Sequence, residues 1–147
     1  MKKKLFLLIA ALMAMGQNAF AYDFFAVSPS GDTLYYKIID PVNHYVALTY
    51  PNDDQNIDVW NSTAALFWAP NTIPSGVLVI PDAVTNGGVT YTVRAVGAFA
   101  FAKCPICSVI MPNTIDSLAE RAFGNCQYLA SITWSNTLRY IGGGALA

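Results

Sequence analysis

Two hydrophobic patterns divide this chain. From Tyr22 to about residue 75, short β-branched and aromatic runs, "DTLYYKIID" and "HYVALTYP", are separated by "SPSGD", "DPVN" and "PNDDQN". Runs of this kind bounded by Gly, Pro, Asn and Asp read as strands joined by turns, with "PSGD" and "DPVN" as hairpin tips. The expectation for residues 22–75 is a small antiparallel β-module. From Gly76 onward the pattern becomes periodic. Ala100-Phe101 recurs at Ala122-Phe123 and Cys104 at Cys126, a spacing of 22. Past the cysteines the spacing is 23: Val109 matches Ile132, Met111 matches Trp134, Asn113-Thr114 matches Asn136-Thr137, and Ile115 matches Leu138. The tail "IGGGALA" opens a third copy, with Ile141 over Leu118 and Ala145-Leu146 over Ala122-Phe123.

A period in the twenties with apolar residues at set offsets predicts a solenoid, whose coils stack because none can bury its apolar side alone. "SVIMP" and "SITWS" then become neighbouring parallel strands. Strand alternation turns Val109, Met111, Ile132 and Trp134 inward. It turns Val77, Val79, Ser108, Ile110, Ser131 and Thr133 outward, onto a sheet face that is either a contact surface or covered by residues 22–75. Ala100-Phe101 and Ala122-Phe123 fall on the opposite side of the coil, in a short helical or turn segment.

The repeat "AFAKC" and "AFGNC", each followed by an apolar strand, with "MPNTI" after the first strand, is similar to the bacterial BspA-like, or treponemal-type, leucine-rich repeats. "GVLVIPDAVTNGGVTYTVRAVGAFAF" resembles the entry to such repeats, a β-hairpin at "TNGGVTY" before the first full copy. Pro81 aligns with Pro112, so "VLVIP" becomes the first strand of the sheet. Three positions depart from the pattern: Cys107 near a leucine slot, Ser135 for the repeat proline, and a large Trp134. The resemblance implies a mainly β chain with short helical turns. An N-terminal β-module (22–75) precedes a leucine-rich-repeat solenoid of parallel strands (76–147), in which Phe101, Cys104, Met111, Phe123, Cys126 and Trp134 hold structural repeat positions.

Composition adds a cellular address. Three lysines, an apolar run from Leu5 to Met15 and Ala19-Phe20-Ala21 form the n-region, h-region and cleavage site of a secretory signal spanning residues 1–21. The apolar run is too short to span a bilayer, and the rest of the chain shows no transmembrane candidate. Tyr22 stands where a lipid anchor needs cysteine. Without the leader, five Lys and Arg stand against nine Asp and Glu, a formal charge of −4. With no basic cluster, nucleic acid is not an expected partner.

Candidate chemistry is thin. "CPIC" (Cys104, Cys107) has redox spacing, but "SVIMP" follows it, a strand where thiolate stabilisation needs a helix N-terminus. Cys104 matches Cys126 instead, which reads as a ladder of buried cysteines open to oxidation in an exported protein. Zinc would have to combine the three cysteines with His44 in the other module. Asn52, Asp54, Asn56 and Asp58 alternate as in a calcium loop but lack its glycine and its final Glu. Asn61-Ser62-Thr63 is a formal glycosylation sequon, and Asp32-Thr33-Leu34 and Asp116-Ser117-Leu118 resemble short acceptor patterns for O-glycans. Glu120 is the one glutamate, and no carboxylate pair can be set about a single bond. No catalytic residue, cofactor or metal is expected.

These readings lead to a secreted or cell-surface binding or adhesion module for a protein or glycan ligand, as the resemblance implies. The alternative is an assembly module, and a thiol-redox enzyme ranks last. The last copy stops inside a coil, so the expectation is either a piece of a longer surface protein or self-association through an uncapped end.

Overall fold

The computed structural model describes residues 21–52 and 67–147. Residues 1–20 of the signal segment, all of the calcium-like loop but Asn52, and the sequon lie outside these residues. β1 (Phe24–Val27), β2 (Thr33–Asp40) and β3 (Tyr45–Thr49) form an antiparallel meander. Its two tips fall at the expected turns. At the second, the Asp40 carboxylate accepts the N–H groups of Val42 and Asn43 (3.0 and 2.8 Å) and the Asn43 amide (2.8 Å), which holds it below the usual carboxylate range. His44 closes this turn with a left-handed backbone, φ 57°.

β4 (Gly76–Val79), β7 (Ile106–Ile110) and β9 (Ser131–Thr133) make a small parallel sheet. Its register follows the repeat: Leu78 opposite Val109 opposite Ile132, and Val79 opposite Ile110 opposite Thr133. Between β4 and β7 come β5 (Ala83–Asn86) and β6 (Val89–Val96), the entry hairpin. Gly87 and Gly88, with φ of 58° and 78°, make the turn that two successive positive φ values require.

Each coil also contributes a second, short strand, β8 (Ser117–Leu118) and β10 (Tyr140–Ile141), parallel to β6 in the large sheet. The same sheet contains the meander, because β3 pairs in parallel with β6. Thus residues 22–50 do not sit beside the repeats as a separate packing unit: Phe24, Tyr36, Leu48, Val96 and Leu118 run in register along one face and share one buried cluster with the repeat core. At the join, Gly97 donates its N–H to the Leu48 carbonyl (2.8 Å). A Cβ at Gly97 would stand 2.6 Å from that oxygen. Gly97→Ala is therefore expected to cost about 1–3 kcal/mol as the strands separate, read as a lower urea midpoint at unchanged m-value.

The coils close through tight turns opposite the small sheet. Ala100, Phe101, Ala122 and Phe123 are all fully buried there. Phe101 donates its N–H to the Ala122 carbonyl and Phe123 to the Ala145 carbonyl, both at 2.8 Å, so turn follows turn by one repeated bond. The two rings stack 5.3 Å apart at 13°. On the other side of Phe101 lies Trp68, 6.0 Å away at 19°. Its indole N–H donates to the Ala100 carbonyl at 3.0 Å. In the later turns the equivalent acceptor is taken by a backbone N–H, so among the described residues Trp68 takes the place that a preceding turn would hold.

Trp134 stands on the core side with Leu129 and Ile132, as alternation expects, but is 45% exposed. Its equivalent Met111 is buried beneath the coil that carries Trp134, donating its N–H to the Thr133 carbonyl at 3.0 Å. Ser135, at the proline slot, is buried instead and donates its hydroxyl to the Ile115 carbonyl at 2.6 Å.

Candidate functional site: the outer face of the small sheet

The six outward residues expected from alternation form two straight rows. Val77, Ser108 and Ser131 lie in register in one, Val79, Ile110 and Thr133 in the other. Val77 is 49% and Ile110 41% exposed, whereas Leu78 and Val109 between them are fully buried. A side chain leaving one face of a pleat leaves the next residue for the other, so burying Leu78 and Val109 and half-burying Ile132 sets this face outward. Ser131 donates its hydroxyl to Ser108 at 2.9 Å, fixing the centre of the first row. No charged residue occurs in either row. The face is thus an uncharged surface of methyls and hydroxyls, suited to shape-matched contact and hydrogen bonding, not to ion pairing.

The described N-terminal residues meet this sheet at its edge. Ser30, within a hydrogen-bonded run of Ser28, Ser30 and Asp32, accepts the Val79 N–H at 3.1 Å. That bond occupies a donor on a side of β4 where no strand pairs among the described residues.

Cys107 is exposed on β7, at an irregularity where Gly76 pairs with Ile106 and Val77 with Ser108. The three cysteines are free thiols. Cys104 is buried, and burial, with smaller contributions from Cys126 and Asp32, pushes its thiol far up. Burial likewise pushes Cys126 up to about 11, and its Sγ donates to the Phe101 carbonyl at 3.1 Å. Neither is poised to be a thiolate near neutral pH. Native alkylation should therefore modify Cys107 first and Cys104 only on unfolding, a sequence that peptide mapping after timed iodoacetamide exposure would show. Equal rates at both positions would contradict the buried placement. Among the described residues no three metal-ligating side chains cluster, and His44 stands at a hairpin tip against Tyr91 (5.7 Å).

The second parallel ladder, β6, β8 and β10, escaped the sequence reading because its strands are two residues long in the repeats. The signal was present in the 23-residue match of Leu118 with Ile141. Trp68 was missed because it precedes the first periodic copy.

Comparison with known proteins supports this architecture. Residues 84–147 match the family model described as the BspA type leucine rich repeat region (6 copies). A leucine-rich repeat protein from Bacteroides capillosus is 25% identical at a TM-score of 0.54, with 75% of this chain and 67% of that one covered. One from Bacteroides ovatus is 24% identical at 0.58, covering 84% of this chain and 26% of that chain. A leucine rich cell surface protein from Faecalibacterium prausnitzii is 20% identical at 0.52, covering 82% and 27%. The chain thus spans about a quarter of the latter two proteins. No curated protein matches it. No helix among the described residues is long and apolar enough to cross a membrane. The fold is a mainly β leucine-rich-repeat stack with parallel strands, and its residues 84–147 are similar to the BspA type leucine rich repeat region.

Proposed function

We propose that this chain is an exported, non-catalytic binding module whose contact surface for a protein or glycan is the outer face of the small sheet. The observation that carries this reading is the pair of in-register, uncharged rows, Val77–Ser108–Ser131 and Val79–Ile110–Thr133, with exposed aliphatic side chains held flat by a buried row beneath. Repeat stacks use such extended sheet faces for binding, and exposed apolar side chains in an ordered row mark a contact surface. Export rests on the three-part leader at residues 1–21.

The test is binding of purified residues 22–147 to immobilised host-surface glycoproteins and polysaccharides, with Ile110→Asp and Thr133→Asp as variants. Each places a charge where the ligand must displace water. Affinity is expected to fall at least about tenfold, at melting temperatures close to that of the parent. Unchanged binding by both variants would remove this face from consideration.

A further inference from the structure

A pocket of about 180 Å³ opens between the tip that joins β1 to β2 and the segment that leads into β4. Gly31, Asp32 and Thr33 form one wall, and Asn71, Thr72 and Ile73 the other. It shares no residue with the two rows of the small sheet.

Both walls are set by the fold before anything binds. On the first, Ser28 donates its N–H to the Asp32 carbonyl at 2.8 Å and Gly31 donates to the Ser28 carbonyl at 2.9 Å, with a φ of 91° at Gly31. The Ser30 hydroxyl ties this tip to Val79. On the second, Pro70–Thr72 is a single 3-10 turn with proline at its start, and the Ala69 carbonyl accepts both the N–H and the hydroxyl of Thr72, each at 2.9 Å. Ile73, next along, packs against the buried core. A pocket held in this way gives up little freedom when a ligand enters.

The polar groups on these walls are largely unspent. Asp32 Oδ2 accepts the Ser30 hydroxyl at 2.9 Å, while Asp32 Oδ1, the Thr33 hydroxyl and the Asn71 side chain have no hydrogen-bond partner among the described residues. The pocket thus offers a carboxylate that only accepts, a carboxamide and a hydroxyl that each donate and accept, and the apolar side of Ile73. No Lys, Arg or His stands among its lining residues.

This set selects among ligands. A phosphate or carboxylate would meet Asp32 with no cation to pair with. A calcium ion takes about six to eight oxygens, usually with several carboxylates, and here there is one. An ammonium group would satisfy Asp32 and leave the Asn71 amide donor unanswered. Adjacent hydroxyls on a neutral ring answer all of it: they donate to Asp32, accept from Asn71, and set a C–H face of the ring on Ile73. The volume is below the roughly 300–1,000 Å³ of pockets that enclose drug-sized ligands, which limits the occupant to about one ring. We propose that this pocket binds one neutral sugar residue, a hexopyranose with adjacent free hydroxyls, exposed at the end of a glycan. The site is separate from the sheet face and does not depend on it.

The test is a titration of isotope-labelled residues 22–147 with the methyl glycosides of glucose, galactose and mannose, followed by backbone amide shifts. At least one sugar should shift the amides of Gly31, Thr33, Asn71 and Ile73 and saturate in the millimolar range. Asp32→Asn, which keeps an acceptor for Ser30, should bind that sugar about tenfold more weakly, and Asn71→Ala roughly three- to tenfold more weakly. The uronic acid form of the same sugar should bind the parent more weakly than the neutral form and lose that disadvantage on Asp32→Asn, a change that a merely structural role for Asp32 would not produce. Ile110→Asp should bind as the parent does. The absence of saturable shifts at these amides with every neutral sugar up to about 50 mM would overturn the proposal. So would shifts produced by Nα-acetyl-lysine amide and by none of the sugars, which would make the pocket a site for a basic peptide. Sugar binding that Ile110→Asp abolishes and Asp32→Asn leaves intact would also overturn it, and would move the sugar to the sheet face.

Discussion

Phe101→Ala is expected to destabilise the chain by about 3–5 kcal/mol, a large share of the roughly 5–15 kcal/mol that holds a domain folded. Phe101 is fully buried and stacked between Trp68 and Phe123. Its removal empties the middle of the ladder and leaves two aromatic faces without a partner. The Phe101 backbone still donates to Ala122, so the loss is one of packing and not of the turn hydrogen bond. Urea unfolding of residues 22–147, followed by far-ultraviolet circular dichroism, measures it. A shift below about 1 kcal/mol, the level of an ordinary surface change, would mean that the ladder does not bear on stability.

The second large effect separates the two roles of Trp68. Trp68→Ala should cost about 3–5 kcal/mol, because it removes both the stacked ring and the indole N–H. Trp68→Phe keeps an aromatic face over Phe101 and leaves the buried Ala100 carbonyl without its donor, a loss of about 1–3 kcal/mol. The difference between the variants reports the packing, and the remainder reports the hydrogen bond. If Trp68→Phe equalled the parent, the indole N–H would not be taking the place of a preceding turn. Unfolding should stay a single transition in both, since the meander and the repeats share one sheet and one core.

How far this was legible in the sequence depends on the interaction. The parallel register of β7 and β9 could be read because strand alternation and the 23-residue spacing each place Val109 over Ile132 and Ile110 over Thr133. The outward rows follow from the same alternation, which is why all six candidate residues share one face. The hairpin at Gly87-Gly88 announces itself, for few other pairs accept two positive φ values. What could not be read was long-range. Nothing local in "HYVALTYP" says that its strand pairs in parallel with β6, more than forty residues on. The side on which Trp134 stands could be read from Met111, but not how far it is covered, because burial in a stack belongs to the neighbouring coil and not to the residue. The left-handed backbones at Phe99 and Arg121, with Gly144 in the next copy, recur once per coil. Only the third is a glycine, so two of the three signals were hidden by side chains.

The most direct test of the binding reading is a comparison of opposite faces. Ile110→Asp and Lys37→Asp both alter exposed strand residues, the first on the outer face of the small sheet and the second on the large sheet. Binding of the two variants to the same immobilised ligands is compared at matched melting temperatures. Ile110→Asp alone is expected to lose binding; loss for Lys37→Asp with Ile110→Asp unaffected would rule out the small-sheet face as the contact surface.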